Sequence, residues 1–106
     1  MTNWVDCTTL DQCPPGSSVE KVVNGRIVAL YNVDGQIHAL DGICPHQGGP
    51  LGQGQLVGNV VTCPWHGWQF DVLTGRTEVN PRICQAVLPV RIDGDDVLIS
   101  LKDGMP

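Results

Sequence analysis

The sequences CPHQGGPL at residues 44–51 and CPWHGW at residues 63–68 decide how this chain folds. Each stretch offers one thiolate and one imidazole, from Cys44 and His46 in the first and from Cys63 and His66 in the second. Sixteen residues separate the two stretches between His46 and Cys63. A set of two sulfur and two nitrogen ligands favours an iron–sulfur cluster or zinc over magnesium or calcium. We therefore expect two loops that face each other across a metal centre.

The length and composition are those of one globular domain. The chain has 106 residues, 42% of them hydrophobic, and we expect a single domain over residues 1–106. No apolar run approaches the roughly 18 residues that span a bilayer, and the N-terminus lacks the features of a secretory signal. The net charge of −5 argues against nucleic acid and anionic membranes as partners, since both bind basic patches. We expect an unprocessed cytoplasmic protein that can dock on a basic protein surface.

The cysteine count also favours a metal over disulfides. Five cysteines cannot all pair within one chain, and a reducing cytosol disfavours disulfides. Cys7, Cys13 and Cys84 lie outside the two metal-binding stretches, and we interpret each as a small buried hydrophobic residue. A bridge between Cys7 and Cys13 is possible in principle, but nothing in the sequence requires it.

The first half of the chain predicts β-hairpins. Asn24-Gly25 lies between the segments at 18–23 and 26–31, and this dipeptide is a strong signal for a tight hairpin turn. Asp34-Gly35 predicts a second hairpin whose last strand leads into the first metal-binding loop. The β-branched run at 56–62 leads to Cys63.

The second half alternates apolar and polar residues. This period-two pattern covers residues 85–92 and 96–101 on either side of the Asp93-Gly94 turn, as expected for half-buried strands. Pro89 cannot donate a ladder hydrogen bond, so its strand should lie at an edge or carry a bulge. No window shows helical spacing. We predict an all-β fold, a small antiparallel barrel or sandwich of roughly eight to ten strands with little or no helix, and loops at about 43–51 and 62–69.

The ligand spacing fits a two-iron cluster better than zinc. Structural zinc sites usually separate paired ligands by two or more residues, whereas one residue separates Cys44 from His46. In a [2Fe–2S] cluster with mixed ligands, one iron takes two thiolates and the other takes two imidazoles, so each loop supplies both irons. Zinc binding stays an alternative at this point.

The full pattern, Cys44-x-His46, sixteen residues, then Cys63-x-x-His66-Gly67, resembles the Rieske iron–sulfur family. The resemblance implies one [2Fe–2S] cluster, with Cys44 and Cys63 on the inner iron. It implies that His46 and His66 bind the outer iron through Nδ1, with their Nε2 edges near solvent. Asn80-Pro81-Arg82 would match a third loop that covers the cluster.

The departures from that family predict a low reduction potential. Rieske proteins of the respiratory complexes have an additional cysteine in each loop and nearby Ser and Tyr hydroxyls. Here Gln47 and Trp65 leave no bridge between the loops, and the positions matching the hydroxyls are Trp68 and Phe70. With fewer hydrogen-bond donors to the cluster, we expect a potential near or below about zero within a range of about −150 to +300 mV.

The sequence contains no second redox centre and no catalytic site. It has no GxGxxG fingerprint, and of its three histidines only His38 is left over, which we interpret as a surface or satisfied structural residue. The chain is most similar to ferredoxin components of bacterial ring-hydroxylating oxygenases, which implies an electron carrier and not an enzyme. The implied partners are an NAD(P)H-dependent flavoprotein reductase and a terminal oxygenase, met through a rim that includes Gln47, Trp65 and Pro81.

Three other functions stay open on the sequence. The chain could be the small Rieske subunit of an assimilatory nitrite reductase or the ferredoxin of a diiron monooxygenase. It could also be a zinc-stabilised binding module without a redox role.

Overall fold

The computed structural model describes residues 4–43, 48–65, 67–77 and 83–101. In these ranges the regular structure consists of ten strands and two short 3-10 turns, Leu10–Gln12 and Leu51–Gln53. The strands are β1 (Trp4–Thr9), β2 (Ser18–Val23), β3 (Arg26–Val33), β4 (Gln36–Asp41), β5 (Gln55–Val57), β6 (Val60–Thr62), β7 (Gln69–Asp71), β8 (Val87–Leu88), β9 (Val90–Asp93) and β10 (Asp96–Ser100). The predicted all-β fold is confirmed. No helix in the described ranges is long and apolar enough to cross a membrane.

The strands form three antiparallel sheets. The terminal sheet has the order β1-β10-β9, the central sheet β2-β3-β4-β8, and the small sheet β5-β6-β7. Within the described ranges none of these sheets closes on itself, so the arrangement is a sandwich and not a closed barrel. Cys63, the predicted metal-binding residue that the structure describes, directly follows β6 of the small sheet.

Both predicted hairpins of the central sheet are confirmed. Asn24 and Gly25 have φ values of 52° and 79°, and the flanking residues Val23 and Arg26 pair directly. Asp34 and Gly35 have φ values of 52° and 93° in the next turn. Two consecutive residues with positive φ make a type I′ turn, whose twist matches that of the strands. The turns therefore set the register of the strands, and β4 leads directly into the first loop.

The central sheet is buried on both faces. The first core cluster lies between it and the terminal sheet and includes Val28, Leu30, Val97 and Ile99. The second core cluster lies on the other face, where Ala29, Tyr31 and Leu40 pack against Leu51, Val61, Cys63, Phe70 and Val72. β3 contributes alternate residues to both clusters. Its strand therefore lies between the terminal sheet on one face and the cluster that contains Cys63 on the other.

Two segments that the sequence pattern presents as single strands are each divided between two strands. Residues 56–62 form parts of two strands, β5 and β6, because Gly58 adopts φ 62° and turns the chain back after Val57. Pro89 separates β8, which is the edge of the central sheet, from β9, which is the edge of the terminal sheet. The predicted edge position of the Pro89 strand is confirmed, and the proline marks where the chain changes sheets.

Candidate metal centre

The first predicted loop is closed at its base. Ile43 and Pro50 form an isolated antiparallel bridge, and the Leu51 amide donates to the Gly42 carbonyl at 3.0 Å. These contacts hold the two ends of the 43–51 segment side by side. The predicted ligands Cys44 and His46 lie outside the described residues.

The second loop continues the β6–β7 hairpin. Thr62 and Gln69 form the last strand pair, and the Cys63 amide donates to the Trp68 carbonyl at 2.7 Å. Gly67 has φ 73°, a conformation that favours glycine, and its amide donates to the Cys63 carbonyl at 3.2 Å. The turn therefore places Cys63 at the base of a tight loop. The predicted ligand His66 lies outside the described residues.

The two loops meet at Gly49 and Cys63. A Cβ added to Gly49 would stand 2.9 Å from the Cys63 sulfur and 3.0 Å from Cβ and Cγ of Trp65. Only a glycine leaves room for this approach. The Cys63 side chain is buried at 1% exposure, within the second core cluster. The one predicted ligand that the structure describes thus lies at the junction of the two loops.

Two side chains that the sequence did not single out hold the base of the first loop. The Gln85 side-chain Nε2 donates to the carbonyl of Asp41, the last residue of β4, and to that of Ile43, where the chain enters the loop. The Tyr31 hydroxyl donates to the carbonyl of Leu51 at 2.9 Å, where the chain leaves the loop. Gln85 looked like an ordinary member of an alternating strand and Tyr31 like an ordinary member of a hairpin strand, so no sequence signal could have found them.

The segment of the predicted third loop is described only at its two ends. Arg76 pairs with Cys84, and Thr77 pairs with Phe70 of β7. These bridges attach both ends of the segment next to the small sheet. The predicted covering residues Asn80, Pro81 and Arg82 lie outside the described residues.

The three remaining cysteines differ in burial. Cys13 is fully buried and Cys7 is partly buried against the first core cluster, but Cys84 is exposed, so the expectation of burial is wrong there. Burial raises the pKa of the Cys7 thiol to about 11 and also raises the pKa of Cys13. Thiols with raised pKa values stay protonated at neutral pH and are poor metal ligands. None of these three cysteines forms a disulfide within the described ranges.

His38 lies within β4, opposite Tyr31 of β3. It is half-buried, and its Nε2 atom has no hydrogen-bond partner among the described residues. We predicted that His38 is a surface residue or a structural residue whose polar atoms are hydrogen-bonded. That prediction does not hold for its Nε2 atom.

Comparison with known proteins identifies the family. A family model described as the Rieske [2Fe-2S] domain matches residues 3–97. The chain belongs to the Rieske [2Fe–2S] family. Its cofactor is accordingly a Rieske-type [2Fe–2S] cluster.

Similar curated proteins are ferredoxins of oxygenase systems. The ferredoxin component of the naphthalene 1,2-dioxygenase/salicylate 5-hydroxylase systems of Ralstonia sp. is 37% identical, over 94% of this chain and 97% of the relative. The biphenyl dioxygenase ferredoxin subunit of Pseudomonas sp. (strain KKS102) is 37% identical, over 86% and 85%. The alkene monooxygenase ferredoxin component of Xanthobacter autotrophicus is also 37% identical, over 91% and 80%. This Rieske protein is therefore an electron-transfer ferredoxin rather than a catalytic component.

Solved structures agree with this Rieske fold. The ferredoxin in a complex of reduced oxygenase and oxidised ferredoxin from carbazole 1,9a-dioxygenase has a TM-score of 0.84 and 27% identity, with 100% of both chains covered. In that system, a ferredoxin of this fold binds an oxygenase. A putative NADH-dependent nitrite reductase small subunit from Mycobacterium tuberculosis has a TM-score of 0.84 at 24% identity, over 94% of this chain and 96% of that one. At that identity the likeness shows the fold alone.

The described residues fit the cluster. A buried thiol stands at the junction of two closed loops, and Gly49 brings the backbone of the first loop to the sulfur of the second. Thiolate sulfur is the ligand type that iron–sulfur clusters require.

Proposed function

We propose that this chain carries single electrons from an NAD(P)H-dependent flavoprotein reductase to a terminal aromatic-ring dioxygenase. The contact between Gly49 and Cys63 carries the proposal, because it brings together the two loops that hold the ligand pattern. The names of the naphthalene and biphenyl relatives support the dioxygenase system. The carbazole complex supports direct binding to an oxygenase.

The proposed ligands divide the cluster between a buried and an outer iron. Cys44 and Cys63 bind the inner iron, and His46 and His66 bind the outer iron. The burial of Cys63 supports this division, since water has little access to its side of the site. When bound, the cluster supplies reversible one-electron chemistry. The chain's own residues fix its position and keep solvent from its inner side.

The partner surface we propose surrounds the ends of the two loops. Ile43 and Trp65 are neighbours of predicted ligands, and their side chains are 42% and 50% exposed. Exposed aromatic and aliphatic side chains beside a redox site suit a transient docking surface. The net charge of −5 adds attraction to a basic partner and should make the association rate fall as salt rises.

The proposal also covers the extent of the domain and the location of the protein in the cell. Residues 1–106 form a single Rieske domain with its loops at about 43–51 and 62–69, and the family match over residues 3–97 supports this extent. A cytoplasmic location is proposed because a reductase that uses NAD(P)H works where that cofactor is supplied.

Reconstitution with candidate reductases and oxygenases tests the proposal. We expect NADH-dependent hydroxylation of an aromatic substrate only when the reductase, this protein and the oxygenase are all present. Trp65→Ala should lower the transfer rate without changing the reduction potential. Ile92→Ala is the matched control, since Ile92 is 45% exposed on the terminal sheet, which carries neither loop. Copurification in fixed stoichiometry with a large reductase subunit would contradict a mobile carrier.

A second candidate is a ferredoxin of a monooxygenase system. The alkene monooxygenase relative favours it, with the same 37% identity as the naphthalene relative but over less of the relative's length. The same reconstitution separates the two candidates, because each oxygenase would turn over its own substrate only with its proper carrier.

A further inference from the structure

The Gln85 side chain is buried at 7% exposure and is fully engaged in hydrogen bonds. Its Nε2 atom donates to the carbonyl of Asp41 at 2.8 Å and to the carbonyl of Ile43. Its Oε1 atom accepts from the amide of Ala86 at 3.1 Å. A primary amide has two N–H donors, so one side chain satisfies both carbonyls.

The backbone of Gln85 is held by contacts that do not involve its side chain. Its amide donates to the carbonyl of Gly75 at 2.6 Å. Gly75 adopts φ 80°, and a Cβ there would collide with the Gln85 carbonyl, so the two segments are in backbone contact. The Ala86 carbonyl accepts from the Asp41 amide at 2.9 Å, which binds the neighbouring residue to β4. The amide group of Gln85 thus projects from a fixed support.

The two carbonyls that Gln85 binds belong to the last described residues before Cys44. We propose that Gln85 is a positioning residue for the cluster, which sets the backbone of Asp41–Ile43 and thereby the placement of Cys44. The inference rests on the ligand role proposed for Cys44. Because Gln85 also follows residues 78–82 in the chain, it links the base of the predicted third loop to the base of the first.

Glutamine is the residue that this position requires. Glutamate has the same size, but its carboxylate has no N–H and would turn negative oxygens toward two carbonyl oxygens. Alanine would remove the hydrogen bonds that both carbonyls accept from Gln85, which destabilises this arrangement of the backbone. Asparagine keeps both donors but is one methylene shorter. Removing a residue that orients a metal ligand typically weakens the binding of the metal.

The test compares Gln85→Glu and Gln85→Ala with two controls in the cluster-loaded protein. Gln69→Ala removes an exposed glutamine that bonds Thr62 at 3.3 Å, beside the second loop. Val97→Ala lowers stability from the first core cluster, away from both loops. The readouts are the reduction potential, the g-values of the reduced protein by EPR, and the rate of cluster loss to a chelator.

We expect both Gln85 variants to lose the cluster roughly tenfold or more faster than wild type, with shifted g-values and a shifted potential. Both controls should keep wild-type g-values and potential, although Val97→Ala melts earlier. If Gln85→Ala does not fold, Gln85→Glu and Gln85→Asn carry the test. Wild-type values of all three readouts in the glutamate variant would overturn the proposal, since packing alone would then explain Gln85. None of the readouts needs a reductase or an oxygenase, so a failed partner assignment leaves the test intact.

Discussion

Gly49 of the first loop lies against the thiol of Cys63 in the second, and a Cβ on Gly49 would stand 2.9 Å from the sulfur. This contact joins two stretches that are fourteen positions apart in the chain. Real Cβ atoms essentially never approach other atoms so closely, and the same Cβ would also press on Trp65. Any side chain at position 49 must therefore displace a predicted ligand or its neighbour.

Gly49→Ala should disturb the metal centre. We expect a loss of about 1–3 kcal/mol in stability, as for overpacked interiors, and less iron per chain. Iron analysis and thermal unfolding measure both effects. Gly58→Ala is the control, because φ is 62° there but the added Cβ meets nothing within 4 Å. The control should lose stability yet keep its iron, and full iron occupancy in Gly49→Ala would contradict the packing described here.

Tyr31→Phe removes the hydroxyl that binds the end of the first loop. The Leu51 carbonyl also accepts from Gly54 at 3.1 Å, so it keeps one partner in the variant. We therefore expect a cost of about 1 kcal/mol. For a domain of this size, that lowers the melting temperature by roughly 4–8 °C. Gln69→Ala, which removes an exposed bond, should melt within a degree or two of wild type. Equal melting of Tyr31→Phe and wild type would show that this bond adds nothing.

The partly buried Cys7 thiol should make stability fall at alkaline pH. Its folded pKa is raised by burial to about 11, against 9.0 for the free group. Between these values the folded chain keeps a proton that the unfolded chain loses, so unfolding becomes easier as pH rises. Below pH 9.0 both states hold the proton and the effect vanishes. Denaturant unfolding of wild type and Cys7→Ala, with a reductant present, measures the difference. A stability difference that stays constant across this range would rule the effect out.

The reduction potential should lie at the low end of the Rieske range. The family resemblance implies that Trp68 and Phe70 match the positions of the Ser and Tyr hydroxyls in Rieske proteins of the respiratory complexes, and Phe70 is fully buried in the second core cluster. Without those donors we expect a value near or below about zero mV. Protein-film voltammetry measures it directly. A potential near about +300 mV would contradict this account of tuning.

The parts of the fold that the sequence predicted are those governed by local backbone chemistry. Asn24-Gly25 and Asp34-Gly35 specify turns that need positive φ, so both hairpins could be placed without tertiary information. The break at Gly58 was missed because it lies inside an apolar, β-branched run. Pro89 predicted a strand at the edge of a sheet. The change from the central sheet to the terminal sheet at Pro89 depends on which strands pair, and packing decides that pairing.

The same distinction holds at the metal centre. The ligand types and their spacing predicted two loops, and the described residues show backbone contacts at Ile43–Pro50 and at Cys63. The residues that support the loops could not be predicted. Gln85 and Tyr31 act on residues 42 and 20 positions away, and alternation in a strand says nothing about such partners.

The most direct test of the central claim, that this protein carries electrons on a Rieske cluster, is to detect the nitrogen ligands of the iron. Pulsed EPR of the reduced protein detects hyperfine coupling to nitrogen atoms bound to iron. We expect couplings from two nitrogens, one of which is lost in His46→Cys and the other in His66→Cys. Iron that shows no strong nitrogen coupling, or a colourless protein that contains only zinc, would contradict the account of a Rieske electron carrier.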